Sequence, residues 1–377
     1  MGAIVRLKLS ILIAKLAALL SKKLLRRSGE TIAGRVLLAL YPKAISELAK
    51  DKKIICVSGT NGKTSTTKAL VSIISKLGSV ATSPSGSNLE RGVAAALMNK
   101  SDYAVLEVDE LHLSRIIEEA KPKAVLLLNL TRDQLHRMHE VKRVADRWAA
   151  SAQGAPETLF VGDIDDPFVA HALNSAAQAQ RISFGGRKHQ DGAVCPSCGK
   201  YLKWNRNNFK CSCGLTNSNP DQSFDSGSAA YRNATMANVI GELFGAKPIA
   251  IDEKSLERSV DQIYKGVKAS IRLAKNPASW SEALKSVTGL NAVLIVNARE
   301  VDGIDTSWLW DISFATLSGK HVVVCGERAL DIAYRLHVEG IEAEITSNFA
   351  DAIAKFEKGS DVHVLAAYTA FHELVNS

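Results

Sequence analysis

A glycine-containing segment between a short apolar run and a helical pattern is the first place where residue types and spacing suggest chemistry. Ile54–Val57 has the composition of a buried parallel strand, and the helical pattern begins directly after the segment. Glycines let backbone N–H groups approach an anion, a lysine reaches terminal phosphates, and a threonine hydroxyl binds Mg²⁺. We therefore predict that a nucleoside triphosphate is held by one short run: Gly59, Thr60, Asn61, Gly62, Lys63, Thr64 and Ser65.

This phosphate-binding pattern departs from its commonest form at one position. The common form has a glycine five residues before Gly62, and this sequence has Val57 there. The alternative interpretation is a glycine turn that only connects a strand to a helix. We favour phosphate binding because Lys63 and Thr64 at a helix start have no packing role.

Acidic residues follow the next predicted strand. A carboxylate from a neighbouring strand end commonly joins the threonine of a phosphate loop in binding Mg²⁺. We predict Thr64 and Glu107 as the two magnesium ligands, and the alternative is that Glu107 and Asp109 are solvated strand-end charges. Arg132 and Asp133, after the following strand, are further candidates for contact with the γ-phosphate or the metal.

Four of the six cysteines lie in two pairs that are each followed by glycine. A Cys-x₂-Cys pair and a Cys-x-Cys pair in an intracellular chain predict a structural zinc site with four thiolate ligands and no open position for water. A disulfide framework is the alternative. His189 nearby is expected to be a surface residue rather than a further ligand. The predicted zinc ligands are Cys195, Cys198, Cys211 and Cys213.

A third cluster follows a predicted strand late in the chain. Residues 301–311 contain three aspartates and two tryptophans, a density that suggests a site. The alternative is a capped loop, in which Asp305 or Ser307 starts a helix and Trp308 enters the core. Residue spacing leaves these two interpretations open.

These groups need a parallel sheet to bring them together. Strand and helix patterns alternate from residue 51 to about residue 185, which indicates right-handed crossovers and ligands at the carboxyl ends of the strands. We predict an α/β fold with an N-terminal helical segment (1–50), a parallel-sheet P-loop central domain (51–266) that carries the zinc-ribbon insertion (187–221), and a smaller C-terminal α/β domain (267–377).

The charge balance and the N-terminal segment limit the partners. The net charge is 47 − 39 = +8, which suits an anionic substrate or a membrane surface and is too weak and scattered to indicate nucleic acid. Residues 4–25 are apolar but interrupted by lysines, so no run reaches the ~18 residues of a membrane span. Lys8, Lys15 and Lys22 share one helix face, which predicts an amphipathic helix that packs on the protein or touches a membrane surface.

The phosphate-loop sequence and the strand ends downstream of it resemble the Mur ligase superfamily, whose members activate a carboxylate as an acyl phosphate that an amine attacks. The closer resemblance is to the MurT family, the Mur-ligase-like subunits of lipid II isoglutaminyl synthase. Besides the cysteine ribbon, the motifs that carry this resemblance are residues 28–34, 273–277, 302–308 and 368–370. The resemblance implies ATP, Mg²⁺ and Zn²⁺ as cofactors, with catalytic roles for Lys63 and Glu107 and contact of Asn233 with the adenine.

The same resemblance implies a reaction and a partner. ATP activates the D-glutamate α-carboxylate of the lipid II stem peptide, and ammonia from a GatD-like glutaminase subunit converts it to D-isoglutamine. By motif position, Asp305 is the aspartate that completes the Cys–His pair of that partner. The implied protein is a cytoplasmic heterodimer subunit that meets its substrate at the inner face of the membrane and binds no nucleic acid.

Two departures from the family pattern keep alternatives open. Asn233 alone remains where the family has two asparagines, and Tyr264–Lys268 stands in place of a Gly-Arg segment. One alternative is an amino-acid-adding Mur-type ligase that acts without a glutaminase. The other is a nucleotide-binding scaffold without turnover.

Overall fold

The chain forms two compact units in the computed structural model, which describes residues 2–25, 30–83, 86–133, 141–256, 258–299, 302 and 304–376. One unit consists of Met1–Thr131 with Val141–Leu256, and the other of Arg132–Glu140 with Glu257–Ser377. Both contain a mainly parallel sheet with helices between the strands. The predicted α/β fold is therefore confirmed.

The first unit is built on a seven-stranded parallel sheet in its described part. Its strands are β1 (Lys53–Ser58), β2 (Val80–Ala81), β3 (Tyr103–Glu107), β4 (Ala124–Leu127), β5 (Leu159–Asp163), β6 (Gln178–Ser183) and β9 (Gln222–Ser223). A separate antiparallel hairpin is formed by β7 (Lys203–Asn205) and β8 (Asn208–Lys210) within the predicted insertion. The order across the large sheet is β2-β3-β1-β4-β5-β6-β9, so β1 is an interior strand between β3 and β4 and delivers the glycine loop to the carboxyl edge.

Helices cover both faces of this sheet because its central strands are apolar on both sides. The helices are α1 (Gly2–Leu25), α2 (Glu30–Leu40), α3 (Ala44–Ala49), α4 (Lys63–Ile74), α5 (Glu90–Leu97), α6 (Leu113–Ala120), α7 (Val141–Gly154), α8 (Pro167–Ser175), α9 (Ala229–Leu243) and α10 (Glu253–Leu256). On one face, Leu70 and Ile73 of α4 and Ile240 of α9 pack in one buried cluster with Ile55 and Leu126 of the sheet. This packing fixes the start of α4, and with it the glycine loop.

The described residues of the N-terminal segment include the helices α1, α2 and α3. Ser10 and Ala14 of α1 are buried, and Arg6 Nη2 donates a hydrogen bond of 3.2 Å to the Leu40 carbonyl at the end of α2. Over the described residues, every helix is too short or too polar to cross a membrane.

The second unit has a six-stranded sheet in the order β10-β11-β15-β12-β13-β14, parallel except at β10–β11. Its strands are β10 (Ser259–Tyr264), β11 (Val267–Leu273), β12 (Asn291–Ile295), β13 (His321–Cys325), β14 (Glu344–Ile345) and β15 (Asp361–Ala366). Its helices are α11 (Pro277–Lys285), α12 (Ala329–Val338), α13 (Phe349–Ile353) and α14 (Tyr368–Asn376), with 3₁₀ turns at Ser307–Asp311 and Ala315–Leu317.

The β10–β11 hairpin is an element that the sequence analysis did not predict. Its two-residue turn has Lys265 at φ +50° and Gly266 at φ +89°, the left-handed pair that matches the twist of a tight hairpin. The sequence-based boundary between residues 266 and 267 falls at the end of this turn, between the two strands, whereas both strands lie in the second unit. The Tyr264–Lys268 departure from the family pattern is therefore a hairpin turn.

Candidate functional site

The predicted phosphate loop connects β1 to α4, and its path depends on two glycines. Gly59 has φ +144° and Gly62 has φ +86°, backbone conformations that side chains rarely adopt. A Cβ on Gly59 would lie 2.9 Å from the Asn129 carbonyl oxygen, and a Cβ on Gly62 would lie 2.3 Å from the Asn233 amide nitrogen. Glycine is therefore required at both positions by conformation and by space.

Asn129, which the sequence analysis did not single out, holds the middle of the loop. The Thr60 N–H donates to its carbonyl at 2.9 Å, and its side-chain amide exchanges bonds of 3.0 and 2.9 Å with the Asn61 backbone. The buried Thr60 hydroxyl donates to the Thr131 carbonyl and accepts from the Thr131 N–H. Thr60 and Asn61 thus shape the loop, while the first turn of α4, residues 63–65, offers the positive end of a helix to an anion.

Lys63 is paired with Glu110, a second residue that the sequence analysis missed. Its Nζ lies 2.8 Å from Glu110 Oε2, and the two side chains are 9% and 4% exposed. Burial alone would lower the pKa of Lys63, but the attraction of Glu110, and of Asp109 and Glu107 nearby, outweighs burial and raises that pKa. Lys63 is therefore held as a cation at the base of the loop. The available signal was the Glu-Val-Asp-Glu run, which places three carboxylates at one strand end.

Thr64 and Glu107, the predicted magnesium ligands, lie next to each other. The Thr64 hydroxyl donates to Glu107 Oε1 at 3.1 Å, and Glu107 is only 5% exposed, so it is not a solvated strand-end charge. A Cβ on Gly86 would lie 3.4 Å from Glu107 Oε2 and 3.5 Å from Thr64 Oγ1, so glycine keeps space open beside both oxygens. A hydroxyl and a carboxylate facing one such space fit the all-oxygen preference of Mg²⁺.

Asn233 lies on α9 with its amide over the phosphate loop. Its side chain is buried and would collide with any Cβ on Gly62. In the first turn of α4, the Ser65 hydroxyl donates to the Leu256 carbonyl at 2.6 Å. The contact of Asn233 with an adenine ring stays a prediction, and its observed neighbour is the phosphate loop.

The four predicted zinc ligands converge in the insertion. Their sulfur atoms all lie within 4.8 Å of one another, with Cys195–Cys213 at 3.6 Å and Cys198–Cys211 at 3.4 Å. Four thiolates at the usual Zn–S distance stand ~3.8 Å apart in a tetrahedron, so this donor set fits a zinc ion.

Both cysteine turns are built alike. Gly199 and Gly214 have positive φ, and their N–H groups donate to the carbonyls of Cys195 and Cys211. The hydrogen bond from the Cys213 N–H is the largest cause that lowers the pKa of the Cys211 thiol to about 6. The low pKa of Cys211 favours its thiolate, the form that binds metal, whereas burial raises the pKa of the Cys195 thiol to about 12.

His189 is buried, contrary to the prediction of a surface histidine. Its Nε2 lies 3.2 Å from Asp166 Oδ2, and its Nδ1 accepts the Asp191 N–H, which puts the ring proton of the neutral form on Nε2. Burial lowers the pKa of His189, but the Asp166 carboxylate outweighs burial and raises it. Asp166 also caps α8 by accepting from the N–H groups of Phe168 and Val169. The first residues of the insertion are thus tied to the end of β5.

In the second unit, the predicted cluster at residues 301–311 has one buried aspartate and two exposed ones. Asp302 accepts hydrogen bonds from the Thr369 N–H at 2.7 Å and from the Thr369 hydroxyl at 2.6 Å. These bonds connect the motif at residues 302–308 with the motif at residues 368–370. Asp305 is exposed and accepts from the Ser307 N–H at 2.8 Å, ahead of the 3₁₀ turn, and the half-buried Trp308 packs on the core. An aspartate bond ahead of a turn and a tryptophan on the core are features of the capped-loop interpretation, and the role of Asp305 in a site stays a prediction.

Arg132 and Asp133 have partners within the second unit. Arg132 Nη1 lies 2.8 Å from Asp311 Oδ2, and Asp133 Oδ2 lies 2.8 Å from Lys275 Nζ. The sequence-based suggestion that they contact the γ-phosphate or the metal gains no support from these contacts.

Comparison with known proteins adds to this geometry. Residues 57–216 match the Mur ligase middle domain, and residues 273–371 match the MurT ligase C-terminal domain. The MurT subunit of lipid II isoglutaminyl synthase (glutamine-hydrolyzing) from Streptococcus pneumoniae is 27% identical to this chain over 93% of both chains. The corresponding subunit from Staphylococcus aureus strain N315 is 26% identical over 88% of both chains.

Solved structures share the fold at lower identity. MurF ligase from Thermotoga maritima in complex with ADP has a TM-score of 0.61 and 18% identity, covering 91% of this chain and 83% of that chain. A pseudomurein peptide ligase type C from Methanothermus fervidus has a TM-score of 0.63 and 18% identity, covering 86% of this chain and 79% of that chain.

The glycine loop with its lysine, the adjacent threonine and carboxylate, and the matching middle domain define a ligase of the Mur type, and the chain belongs to the Mur ligase superfamily. Within that superfamily, its C-terminal domain and its similarity along nearly the whole chain group it with the MurT ligases.

Proposed function

We propose that this chain is the ATP-dependent synthetase subunit of a lipid II isoglutaminyl synthase. The observation that carries the proposal is similarity to the Streptococcus pneumoniae MurT subunit over 93% of both chains, combined with an intact Lys63–Thr64–Glu107 arrangement. The reaction converts the D-glutamate α-carboxylate of the lipid II stem peptide to the amide of D-isoglutamine. We place it in the cytoplasm, where the stem peptide is met at the inner membrane face.

The residues of the phosphate loop have distinct tasks in this proposal. Lys63 neutralises the terminal phosphates, and the start of α4 binds phosphate oxygens through backbone N–H groups. Thr64 and Glu107 would hold Mg²⁺, which supplies charge neutralisation at the phosphates when bound. The α-carboxylate oxygen takes the γ-phosphoryl group and ADP leaves. Ammonia nitrogen then attacks the acyl carbon, phosphate departs, and the nitrogen loses a proton to give the amide.

Zinc has a structural role in this proposal. Cys195, Cys198, Cys211 and Cys213 form a closed set of four thiolates, which leaves no coordination position for a reacting molecule. Zinc there would hold the two cysteine turns together around the β7–β8 hairpin. The chemistry therefore stays at the phosphate loop of the same unit.

Ammonia is proposed to come from a GatD-like glutaminase subunit that binds this chain as a heterodimer. The MurT relatives are named as subunits of a glutamine-hydrolyzing synthase, which supports a glutaminase partner. Asp305 is proposed to orient the partner's catalytic histidine, and its exposed position makes it accessible to another chain. We expect Asp305→Asn to stop amidation driven by glutamine while sparing amidation driven by added ammonium.

The test supplies the purified chain with ATP, Mg²⁺, lipid II and ammonium chloride, and follows phosphate release and the mass of the stem peptide. We expect the wild-type chain to form the amide product. Lys63→Ala should form it at least a thousandfold more slowly, which corresponds to a loss of about 4 kcal/mol of transition-state stabilisation. The exposed Lys50→Ala variant is the control.

Each alternative has its own outcome in this assay. Product formation with amino acids but not with ammonium would assign an amino-acid-adding ligase. Binding of ATP with no turnover under any condition would assign a nucleotide-binding scaffold. Activity of Lys63→Ala within tenfold of wild type would refute the phosphate-loop assignment.

A further inference from the structure

The N-terminal helix α1 carries a long apolar stripe that faces solvent in the described structure. Six large aliphatic side chains along it are between 51% and 64% exposed. Their spacing of three, four or one residues keeps them on one side of the helix through four turns. Contiguous apolar surface of this length marks an interaction site rather than scattered surface residues. The stripe consists of Val5, Leu9, Leu12, Leu16, Leu19 and Leu20.

The opposite side of α1 is already used for packing. Ser10, Ala14 and Ser21 are buried there, and Arg6 is bonded to the Leu40 carbonyl. These small residues let α1 lie close against α2, while the six residues of the stripe are exposed. The apolar stripe is therefore not the side that packs on the protein.

Positive charge flanks the stripe. Lys8 and Lys15 are exposed along one margin, between the apolar stripe and the packed face. Residues 1–29 contain seven lysines and arginines and no aspartate or glutamate. An apolar stripe bordered by lysines is the pattern of a helix that lies in the plane of a membrane containing anionic lipids.

We propose that α1 docks the protein on an anionic lipid surface, with its apolar stripe in the headgroup–acyl boundary and its lysines against lipid phosphates. The helix does not meet the requirements for spanning a membrane. A second copy of the chain fits this surface less well, because pairing two stripes would bring two acid-free cationic segments together, whereas anionic lipid neutralises them. The inference stands on α1 itself and does not depend on the proposed reaction.

Vesicle flotation of the full chain tests this inference. Wild type should float with vesicles of phosphatidylglycerol and phosphatidylcholine, and much less with phosphatidylcholine alone. Leu12→Gln combined with Leu16→Gln should weaken binding by about tenfold or more, because two stripe residues lose their apolar burial. Lys8→Gln combined with Lys15→Gln should weaken binding to the anionic vesicles by about fivefold per lysine and leave the neutral vesicles unaffected.

A matched control uses two leucines that are 72% exposed on the second unit. Leu290→Gln combined with Leu330→Gln should float like wild type, since those residues lie outside the stripe. All substituted side chains are exposed, so the variants should retain wild-type helix content by circular dichroism.

Three results would overturn the inference. The first is a wild-type chain that fails to float with anionic vesicles, and the second is flotation of the Leu12/Leu16 variant equal to wild type. The third is a dimeric wild type and a monomeric Leu12/Leu16 variant in analytical ultracentrifugation, with neither chain binding vesicles. That result would assign the stripe to contact with a second copy of the chain. Failure of the amidation assay would leave the flotation results unchanged, so the two proposals fail separately.

Discussion

Replacing Glu110 with glutamine would leave the Lys63 ammonium buried beside the phosphate loop without its carboxylate. The side-chain volume is nearly conserved, so the main change is the loss of one negative charge 2.8 Å from Nζ. Lys63 would keep the Gly59 carbonyl as an acceptor at 2.5 Å. The perturbation therefore tests the electrostatic role of Glu110 with little change in packing.

The magnitude follows from burial. Removing one partner of a buried ion pair costs about 3–5 kcal/mol, and the carbonyl acceptor that Lys63 retains reduces this to about 2–3 kcal/mol of unfolding free energy. The pKa of Lys63 is raised in the folded chain, so the stabilisation by Glu110 is complete below the ordinary lysine pKa of about 10.4 and is lost as pH rises through the higher folded value. In wild type, this stabilisation should therefore be constant from neutrality to about pH 10 and shrink above it.

Urea unfolding monitored by circular dichroism, together with scanning calorimetry, measures the difference in stability between wild type and Glu110→Gln. The control is Glu47→Gln, because Lys50 Nζ lies 2.7 Å from Glu47 Oε2 in an exposed pair, and we expect no measurable loss there. Saturating ATP with Mg²⁺ should narrow the gap between wild type and Glu110→Gln, since phosphate oxygens supply the missing negative charge. Equal unfolding midpoints for the Glu110 and Glu47 variants would refute the reasoning.

Three further predictions concern the glycine loop, the cysteine cluster and the second unit. Gly245→Ala, at a positive φ with open space, should lower the free energy of unfolding by about 1–2 kcal/mol. Gly62→Ala should lower it by about 1–3 kcal/mol more, because the added Cβ meets the side-chain amide of Asn233 on α9. Equal urea midpoints for the two variants would contradict this. Purified wild type should contain one zinc ion per chain by metal analysis, and Cys211→Ser should contain little and unfold at a lower temperature; a metal-free wild type with unchanged stability would exclude the site. Asp302→Asn should lower the free energy of unfolding of the second unit by about 1.5–3 kcal/mol, because it weakens two hydrogen bonds from Thr369. Asp305→Asn, at an exposed position, should leave stability unchanged. Equal effects of the two substitutions would contradict the assignment of Asp302 as the buried member.

The local sequence pattern was sufficient to predict those features that depend on residues close together in the chain. The apolar run before Gly59 and the helical period after Lys63 predicted β1 and α4, because a buried strand and an amphipathic helix each show in their own residues. The two cysteine pairs predicted their own convergence, since short turns with glycine bring each pair together and a hairpin joins them. The proximity of Thr64 and Glu107 could also be predicted from the sequence, because parallel strands end at the same edge of a sheet.

Contacts between distant segments were decided only by the tertiary structure. Asn129 shapes the loop across 68 residues, and Glu110 reaches Lys63 across 47, so no local period points to either. His189 was expected at the surface, yet it is buried against Asp166 at the start of α8, 23 residues earlier in the chain. The β10–β11 hairpin escaped notice because a partly exposed edge strand lacks a continuous apolar run.

By itself, the sequence determined the class of fold, the glycine loop and the four-cysteine cluster, because these depend on residues a few positions apart. Only the tertiary structure decided which carboxylate holds Lys63, which aspartate of the late motif is buried, and which side of α1 faces solvent. Those outcomes depend on which segments the sheet order and helix packing bring together, and pairing over such distances leaves no periodic trace in the chain.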